Sequence, residues 1–399
     1  MAVDSASDPA IPSEPVDVTI VAHDIGPVGG MERQLTHLIT GLQRRGHDVT
    51  VIGRVCELPP GSGVRFHRVP GPGRPFLIAY PWFLLAGSIA VARRRRGVVQ
   101  ATGAIVLNQV DAIAVHYCQQ VGGATSSRRT RLAGLYIRLV AILNRLGERL
   151  CYELSRRAVF VCVSEGVAEE MRHYYPRARE RVLAIQNGVD VDAFAPGTRV
   201  QEAAALRERL GIAGQDLVAA FVGSEWERKG LEQAIAALAQ APGWTLLVAG
   251  SGDRERYERL AASLGVQESI RWLGVARDVP LVLAVADALV FPSTYEAFPL
   301  VALEAAAAGL PILATPVNGV RELVQDGRSG MLIERDPGSI AAALRRLGED
   351  SQLRRSIGQA AREASLDYSW DRMVERHHEL YQRLAGESDA GRRKGLRRR

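Results

Sequence analysis

The sequence predicts an α/β protein built from two parallel sheets, each covered by helices on both faces. Short apolar runs, which are typical of buried strands, alternate along the chain with longer stretches of helical periodicity. This alternation occurs twice, before and after the loop at residues 187–199. Strands that alternate with helices form parallel sheets, and 399 residues are enough for two such domains.

Each half supports this prediction element by element. In the first half, strands are expected at 18–22, 49–52, 98–101, 112–115, 159–163 and 182–185, with a helix at 31–45. In the second half, strands are expected at 218–222, 245–249, 270–273, 288–291 and 312–314. The helices of that half are expected at 231–240, 254–264, from 299 onward, 339–347 and 370–384.

The domain boundaries follow from these elements. We place an N-terminal domain at residues 16–197 and a C-terminal domain at 198–368, followed by a helix at 369–385. Residues 1–15 are polar, contain three prolines and have no basic stretch, so we expect a disordered N-terminus rather than a signal peptide. Residues 386–399 have six basic residues against two acidic ones and hold most of the net charge of +6, so we expect a basic disordered tail.

The composition excludes several classes of protein. With 47% hydrophobic and 24% charged residues, the chain has an ordinary soluble composition. The four cysteines show no CxxC or metal-like spacing and are typical of reduced thiols in a cytosolic protein. No zinc-finger, helix-turn-helix or RNP pattern is present, so we expect no nucleic-acid partner.

Two segments have a composition that is also found in membrane-associated helices. Residues 76–92 are uncharged and precede four arginines, but they are shorter than the usual span of about 20 residues. We interpret them as a buried helix with a basic end. Residues 128–150 combine a leucine stripe with a row of arginines. A core-facing helix is our preferred interpretation, and contact with an anionic membrane is the alternative.

The most informative loop lies between the strand at 288–291 and the helix that follows it. Glu296 lies in this loop and Glu304 lies inside the helix, eight residues further on. Ionised carboxylates only accept hydrogen bonds and therefore suit sugar hydroxyls. Free N–H groups at the helix start form an anion site between the two acids. These N–H groups lie near Phe298, Pro299, Leu300 and Val301, of which proline itself has no N–H.

Other loops also follow predicted strands, where ligands bind in doubly wound sheets. Gly29 and Gly30 end a glycine loop that can approach a phosphate, with a tight turn as the alternative explanation. Arg228 and Lys229 precede a helix and can neutralise a diphosphate. The loop at 250–253 is interpreted as a turn.

Two further features have a plain structural alternative. His116 ends a predicted strand, and a lone histidine in an apolar run is usually a core or loop residue. Asp190 and Asp192 are interpreted as loop structure, since neither a histidine nor a third acid lies nearby. We therefore expect no essential metal.

Taken together, these loops resemble the retaining glycosyltransferases of family 4, which have the GT-B fold of two Rossmann-like domains facing a cleft. The matching motifs occur in the order of that family over about residues 18–330. They are Gly29-Gly30-Met-Glu-Arg, Arg45-Gly-His-Asp-Val-Thr50, Val163-Ser-Glu165, Asn187-Gly-Val-Asp190, Arg228-Lys-Gly230, Gly250-Ser-Gly252, Phe291-Pro-Ser293 and Glu296-x7-Glu304.

The resemblance implies a role for each matching residue. The implied catalytic group comprises Glu296 at the donor sugar, His116 near its primary hydroxyl, and Arg228 and Lys229 at the phosphates. The implied donor-binding group comprises Gly29, Gly30, Gly223, Ser224, Phe298, Pro299, Leu300 and Val301, with Glu304 on the ribose hydroxyls. The resemblance also implies that the last helix returns to the N-terminal domain, which would be the acceptor domain.

Some positions depart from the pattern of the family. Gly223-Ser224 stands where many members have Gly-Arg, and this form is similar to the lipopolysaccharide-core glucosyltransferase branch. Ala297 and Asn318-Gly319 replace common glycines. These departures leave the donor open, with a UDP-sugar favoured, but do not change the reaction class.

The expected reaction is the transfer of a hexose from a nucleotide-sugar to an acceptor hydroxyl, with retention and without a metal or cofactor. Nothing in the sequence places a second acid opposite Glu296, which favours front-face transfer over double displacement. The expected setting is cytoplasmic synthesis of a cell-envelope glycan or glycolipid, with a lipid-linked or glycan acceptor and contact with the inner membrane face. The alternatives are a nucleotide-sugar epimerase, a phosphorylase or a non-catalytic nucleotide-sugar-binding protein. A dehydrogenase is disfavoured, because the dinucleotide fingerprint is missing.

Overall fold

The computed structural model of the protein describes residues 15–26, 29–59, 61–121 and 131–396, and these divide into two compact units. Unit 1 contains the described residues up to Val163, residues 167–185 and the chain from Asp371 onward. Unit 2 contains residues 164–166 and 186–370. The predicted disordered N-terminus lies outside the described residues, except for Pro15.

The main division falls at 185/186, earlier than the expected boundary at 197/198. Hydrogen bonds explain the difference. The Val189 N–H donates to the Tyr368 carbonyl at 2.8 Å, and Arg362 donates to the Val191 carbonyl at 3.2 Å. The chain after residue 186 is therefore attached to unit 2 before that unit's first helix begins.

Unit 1 contains one large parallel sheet and its helices. In chain order up to residue 185, the elements are β1 (Asp17–Val21), β2 (Asp24–Ile25), α1 (Gly30–Arg44), β3 (Asp48–Gly53), β4 (Val55–Cys56), β5 (Arg65–Arg68), α2 (Phe76–Arg94), β6 (Val98–Thr102), β7 (Ala112–Val115), α3 (Arg131–Leu154), β8 (Val159–Cys162), α4 (Glu165–Tyr174), a 3-10 helix (Pro176–Arg181) and β9 (Val182–Ala184). The seven strands of the sheet have the order β5-β3-β1-β6-β7-β8-β9, and β2 pairs with β4 separately.

Sequence patterns explain most of this sheet. Strand β1 is fully buried after its first residue, as a strand covered on both faces should be. Strand β5 was not predicted, because its sequence Arg-Phe-His-Arg has no apolar run. It lies at an edge, where charged side chains protect unpaired backbone groups. The strand order reverses between β1 and β6, so the loops after these strands flank the switch point of the sheet.

Unit 2 contains a six-stranded parallel sheet with the order β12-β11-β10-β13-β14-β15. Its elements are α5 (Val200–Arg209), β10 (Leu217–Val222), α6 (Trp226–Lys229), α7 (Leu231–Leu238), β11 (Trp244–Ala249), α8 (Arg254–Ser263), a 3-10 helix (Gln267–Ser269), β12 (Ile270–Gly274), α9 (Val279–Val285), β13 (Ala288–Phe291), α10 (Leu300–Ala307), β14 (Ile312–Ala314), α11 (Val320–Leu323), β15 (Met331–Leu332), α12 (Pro337–Glu349) and α13 (Ser351–Ser365).

Aspartate caps set the start of four helices in unit 2. The carboxylates of Asp253, Asp278, Asp336 and Asp350 accept backbone N–H groups at the starts of α8, α9, α12 and α13. Each cap satisfies a donor that would otherwise lack a partner within the helix. Helix α10, in contrast, follows Pro299 and has no side-chain cap, so its first N–H groups are left for another acceptor.

The last helix, α14 (Trp370–Leu396), belongs to unit 1 from Asp371 onward. Arg376 donates to the Ala184 carbonyl at 2.7 Å, and the Tyr381 hydroxyl donates to Gln100 at 2.8 Å. The helix continues to Leu396, whereas we expected a disordered tail from residue 386. Helix extension is easier than nucleation, and arginine and lysine are good helix formers, so the anchored helix continues into the basic segment. Residues 397–399 lie outside the described residues.

Helices α2 and α3 differ from our expectations in their exposure. We interpreted residues 76–92 as a buried helix, but only Tyr80, Phe83, Gly87 and Val91 of α2 are buried. We expected the leucine stripe at 128–150 to face the core, but most of its described leucines are exposed. Helical periodicity shows which residues share a face, but not whether that face meets protein. In the part of the chain that the structure describes, α2 is the one helix long and apolar enough to cross a membrane.

Candidate active site

The candidate site lies at the switch point of the sheet in unit 2. Strand β10 lies between β11 and β13, and the strand order reverses between β10 and β13. The loop and short helix α6 that follow β10 contribute Arg228 and Lys229, and the loop after β13 contributes Glu296. Both loops extend from the carboxyl ends of neighbouring parallel strands, where doubly wound sheets bind ligands.

One carboxylate oxygen of Glu296 is the centre of this site. Its Oε1 accepts hydrogen bonds from Arg228 Nη1 at 2.8 Å, from Lys229 Nζ at 2.9 Å and from Ser293 Oγ at 3.0 Å. The side chains of Lys229 and Glu296 are each 13% exposed, so solvent screens their interaction little. Two cations and one anion therefore meet in a largely enclosed position.

The charge on Arg228 is held by its neighbours. Burial alone would lower the pKa of the Arg228 guanidinium, but the carboxylates of Glu296 and Glu225 outweigh this effect and raise it. Glu225 accepts a hydrogen bond from Arg228 Nη2 at 2.8 Å and is itself exposed. Arg228 thus bridges an enclosed carboxylate and one that faces solvent.

The backbone brings the two loops together at Gly230. This residue has a φ of +82°, which favours glycine, and a Cβ there would lie 2.4 Å from the Pro292 carbonyl oxygen. The Thr294 N–H also donates to the Arg228 carbonyl at 3.0 Å. A side chain at position 230 would therefore separate the two loops that carry the charged cluster.

Gly223 and Ser224 support the cluster from the start of the same loop. A Cβ on Gly223 would lie 2.8 Å from Lys229 Cε, so the glycine leaves room for the lysine side chain. Ser224 Oγ lies 2.9 Å from Ser251 Oγ and links this loop to the one after β11. The glycine loop at 250–252 packs closely as well, because a Cβ on Gly250 would lie 2.0 Å from the Gly223 carbonyl oxygen. Its glycines thus have a packing role in addition to forming a turn.

The predicted anion site lies at the start of α10. Within this helix, the Ala302 N–H donates to the Pro299 carbonyl at 3.1 Å. The N–H groups of Leu300 and Val301 precede that bond and have no acceptor within the helix. Glu304 lies one turn further on and is 3% exposed, and Phe298 is also buried. A Cβ on Gly319 would lie 2.9 Å from the Phe298 ring, so this glycine permits the close approach of the next loop.

The remaining predicted residues lie in unit 1. Gly29 caps α1 with a φ of +101°, and Gly30 is the first residue of that helix. His116 follows β7, and its Nε2 is buried with no hydrogen-bond partner among the residues that the structure describes. Burial, with a smaller contribution from His377, lowers the pKa of His116 to about 4, so the imidazole is neutral at pH 7. Three of the four predicted catalytic residues are thus in contact in unit 2, whereas His116 belongs to unit 1.

Asp190, one of the two aspartates interpreted as loop structure, closes a turn. Its Oδ1 accepts a hydrogen bond from the Ala193 N–H at 3.0 Å. This is the loop role that the sequence predicts for it.

Comparisons with known proteins agree with the geometry. The sequence model of Glycosyltransferase Family 4 matches residues 28–193, and that of Glycosyl transferases group 1 matches residues 202–364. A D-inositol 3-phosphate glycosyltransferase from Salinispora tropica is 34% identical over 376 residues, which are 89% of this chain and 70% of that protein. The chain belongs to the family 4 glycosyltransferases.

Other relatives of this glycosyltransferase cover the chain to different extents. An uncharacterized glycosyltransferase from Methanocaldococcus jannaschii is 28% identical over 89% of this chain and 94% of its own length. Matches to several other D-inositol 3-phosphate glycosyltransferases span only 48% to 62% of those proteins. Similarity of sequence therefore extends over the whole glycosyltransferase in some relatives and over about half of others.

Solved structures confirm the predicted GT-B fold of this glycosyltransferase. WaaG, a glycosyltransferase involved in lipopolysaccharide biosynthesis, has a TM-score of 0.74 at 22% identity and covers 91% of this chain and 99% of its own. HepE from Anabaena, in complex with UDP and glucose, has a TM-score of 0.69 at 19% identity and covers 91% of this chain and 98% of its own. At these identities the likeness concerns the fold alone.

One residue that positions the candidate site was not predicted from the sequence. Arg335 follows β15 and donates to the Pro292 carbonyl at 3.1 Å and to the Glu227 carbonyl at 2.7 Å. It therefore holds the loop after β13 and helix α6 in one arrangement. Arg335 lies outside every recognised motif, and no spacing rule relates it to Glu227, so the sequence carries no signal that would have found it.

Proposed function

We propose that this glycosyltransferase transfers a hexose from a nucleotide-sugar, with a UDP-sugar favoured, to an acceptor hydroxyl with retention of configuration and without a metal. The observation that carries the proposal is the convergence of Arg228 Nη1 and Lys229 Nζ on Glu296 Oε1, at 2.8 and 2.9 Å. Two fixed cations at a switch point suit the diphosphate of a leaving nucleotide, whose charge grows as the glycosidic bond breaks.

The charge balance supports a diphosphate ligand. In the cluster as it stands, one carboxylate faces two cations, so a net positive charge remains when the exposed Glu225 is set aside. A diphosphate can take the place of the carboxylate oxygen, since charge-assisted bonds to Arg and Lys are strong. Glu296 would then be released to accept hydrogen bonds from the sugar hydroxyls.

The surroundings of Glu296 favour front-face transfer over double displacement, the other route that retains configuration. Apart from the exposed Glu225, Glu296 is the one carboxylate that the described residues bring into the charged cluster, so it has no second acid opposite it. In front-face transfer, the acceptor hydroxyl attacks from the side of the leaving group and gives its proton to a phosphate oxygen. The bond from the anomeric carbon to the diphosphate breaks as the bond to the acceptor oxygen forms.

Relatives indicate which ligands to test first. HepE was solved with UDP and glucose, which supports UDP-glucose as the first donor. The Salinispora tropica relative is named for D-inositol 3-phosphate, which makes that compound the first soluble acceptor. We propose a lipid-linked or glycan acceptor of the cell envelope as the natural substrate, with the reaction on the cytoplasmic side. The roles of Gly29, Gly30 and His116 stay predictions.

The test is a transfer assay with NMR analysis of the product. UDP and a UDP-sugar should raise the thermal transition, because ligands that bind the folded state stabilise it. The product anomer should have the configuration of the donor, and EDTA should leave the rate unchanged. Lys229→Ala and Arg228→Ala should each lower kcat roughly 10²- to 10³-fold. The matched control is Arg355→Ala, which removes an exposed arginine of α13 in the same unit.

Three outcomes would contradict parts of the proposal. An inverted product excludes front-face transfer, and a loss of rate in EDTA excludes the metal-free reaction. If Lys229→Ala and Arg228→Ala behave like the control, the phosphates bind elsewhere. Incubation with the nucleotide-sugar alone separates an epimerase from a transferase, because an epimerase needs no acceptor.

A further inference from the structure

A basic–apolar surface on unit 1 consists of the outward faces of α2 and α3. In α2, the face opposite the core exposes four large apolar side chains to between 51% and 60%. These are Ile78, Trp82, Leu85 and Ile89, whose spacing of three and four residues places them along one stripe. Isolated exposed hydrophobic residues are common, but a continuous stripe marks an interaction surface.

Helix α3 adds a second stripe of the same kind. Its exposed apolar residues, between 44% and 60% accessible, are Leu135, Leu139, Ile142, Leu146 and Leu150. Three exposed arginines each directly precede one of these leucines and lie along one edge of the stripe: Arg138, Arg145 and Arg149. A helix with leucines on its outer face and arginines at its edge has the pattern of an interfacial amphipathic helix.

The two helices are direct neighbours. The Phe76 N–H, at the start of α2, donates to the Tyr136 hydroxyl at 3.2 Å. Gly147 of α3 leaves room for Tyr80 of α2, because a Cβ there would lie 2.1 Å from the Tyr80 hydroxyl oxygen. The two stripes therefore belong to adjacent elements of one unit.

The charge of the basic–apolar surface is strongly positive. Helix α2 contains no acidic residue and leads into four exposed arginines, at positions 93–96. Helix α3 contains two acids. Glu148 is buried and bonded to the Tyr175 hydroxyl at 2.6 Å, and Glu153 lies within 4.0 Å of Arg156 and Arg177. Along the described parts of both helices, Glu153 is the one exposed carboxylate, and its ion pairs are with Arg156 and Arg177 rather than with the arginines of this surface.

A pocket lies where the two helices meet. It has a volume of about 590 Å³ and is lined by Gly73, Arg74, Pro75, Phe76 and Tyr136. Arg74 gives it a guanidinium that can bind a phosphate, and the rings of Phe76 and Tyr136 give it an apolar wall. This combination suits the junction between a phosphate headgroup and its glyceryl chain.

We propose that the basic–apolar surface docks on an anionic phospholipid membrane. The leucine stripes would enter the headgroup and acyl boundary, while the arginines bind lipid phosphates. A second copy of the chain is a poorer occupant. In a two-fold symmetric dimer the same patch meets itself, so these arginines would be brought towards their equivalents without acids to pair with. Membrane binding itself does not depend on the proposed function. Only the purpose of that binding, access to a lipid-linked acceptor, rests on the proposed function.

The test is vesicle co-sedimentation of the full chain without any sugar nucleotide, so that its result does not depend on transfer. We expect binding to vesicles with about 30% phosphatidylglycerol, weak binding to pure phosphatidylcholine, and release as salt rises from about 0.1 M to about 0.5 M. Trp82 is exposed, whereas Trp226, Trp244 and Trp370 are buried. Its emission should shift to the blue on binding, and this shift should be absent in Trp82→Phe.

Two pairs of substitutions test the two components of the surface. Arg138→Gln with Arg149→Gln should weaken binding roughly 25-fold, at roughly fivefold per arginine. Leu139→Ser with Leu146→Ser should weaken it more than roughly tenfold through lost apolar burial. The controls are Arg355→Gln and Val275→Ser, which change an exposed arginine and a 73% exposed valine of unit 2. Both controls should bind as the wild type does.

Each outcome decides the proposal. Unchanged vesicle binding by the Arg138→Gln/Arg149→Gln variant overturns it. The proposal is also overturned if the wild type does not bind vesicles but sediments as a dimer, and the Leu139→Ser/Leu146→Ser variant sediments as a monomer. That result would identify a second copy as the occupant. A circular dichroism spectrum and a thermal transition like those of the wild type show that the variants are folded. Vesicle binding without glycosyl transfer would leave the membrane inference standing and count against the proposed function alone.

Discussion

Glu296 has two partners that a nucleotide-sugar would also use. Its Oε1 lies 2.8 Å from Arg228 Nη1 and 2.9 Å from Lys229 Nζ, the same cations that we assign to the diphosphate. We propose that a diphosphate displaces the carboxylate when it binds both of them. In that arrangement Glu296 would oppose the binding of the nucleotide and accept hydrogen bonds from the sugar, and these two effects can be separated by removing only its charge.

Glu296→Gln should therefore bind UDP more tightly than the wild type while losing transfer. One like charge about 4 Å from a phosphate charge costs between about 1 kcal/mol in bulk water and about 4 kcal/mol near a protein surface, so UDP affinity should rise by roughly fivefold or more. The kcat should fall roughly 100-fold, because an amide is a weaker acceptor for the sugar hydroxyls. Calorimetric titration with UDP and steady-state kinetics measure the two effects.

Glu225→Gln is the matched control for this prediction. It removes the exposed carboxylate that lies 2.8 Å from Arg228 Nη2 and leaves Glu296 in place. Because that carboxylate is 67% exposed, the change in UDP affinity should be smaller and transfer should stay within a few fold. Weaker UDP binding by Glu296→Gln would show that the carboxylate supports the cation pair rather than competing with the diphosphate.

At the residue scale, the sequence predicted the members of the charged cluster but not their bonds. Glu296, Arg228 and Lys229 were recognised because they follow strands, and the loops after neighbouring parallel strands meet at one edge. The sequence does not show that Glu296 pairs with both cations, because side-chain direction depends on backbone angles such as the φ of +82° at Gly230. Arg335 could not be found, since its partners are backbone carbonyls, which every residue has.

At the scale of elements, Arg335 holds α6 against the loop after β13. It donates to the carbonyls of Glu227 and Pro292 from two different nitrogens. Lysine has one nitrogen and lacks the planar fork of arginine, so it cannot reproduce both bonds in that geometry. The position of Arg228 and Lys229 relative to Glu296 thus depends on a residue outside the cluster.

Arg335→Lys should lower kcat for the donor roughly 10- to 100-fold, because small displacements of positioned groups are costly in catalysis. Added guanidinium should restore part of the rate to Arg335→Ala, since it can fill the same space. A purely structural role would lower the thermal transition without such rescue. The control is Arg345→Lys, which changes an arginine that donates to the Gln240 carbonyl elsewhere in unit 2. It should leave kcat within a few fold of the wild type.

Helix α1 packs closely on α14 at Gly41. Gly41 of α1 faces Val374 of α14, and a Cβ on Gly41 would lie 2.5 Å from Val374 Cγ2. Gly41→Ala should destabilise unit 1 by about 1 to 3 kcal/mol through overpacking, partly offset by about 1 kcal/mol of helix propensity. Val374→Ala should relieve the clash, so the double variant should be more stable than additivity predicts. Urea denaturation of the four proteins measures this coupling, and strictly additive effects would contradict the packing argument.

The positions of the helices could be predicted from the sequence, but the exposure of their apolar faces could not. The positions of most strands and helices followed from period and length. The exposure of the stripe in α3 did not, because an amphipathic pattern is the same whether its apolar face meets a core or a membrane. The arginine edge of that helix was visible in the sequence, but only the exposure of Leu139 and Leu146 shows which face it borders.

At the scale of the whole molecule, the histidines are distributed unevenly. All eight histidines of the chain lie in unit 1, and unit 2 has none. Burial lowers the pKa of His23, His116 and His377 to about 4 from a usual value of 6.5. His377 is 1% exposed, and its Nδ1 lies 2.9 Å from the Met373 carbonyl oxygen. Mild acid should therefore affect the two units differently.

Unit 1 should lose stability between pH 6.5 and pH 4, and His377 should account for a measurable share of the loss. Below pH 6.5 the unfolded chain takes up protons that the folded unit does not bind, so the free energy of unfolding falls with pH until the folded pKa of about 4. For one such histidine the loss is roughly 2 kcal/mol at pH 5. Differential scanning calorimetry at pH 7.5 and pH 5 should show a larger shift for the transition of unit 1. His377→Leu should reduce that shift, whereas His173→Leu, at an exposed position of the same unit, should not. An equal shift in wild type and His377→Leu would mean that folding does not lower the pKa of His377.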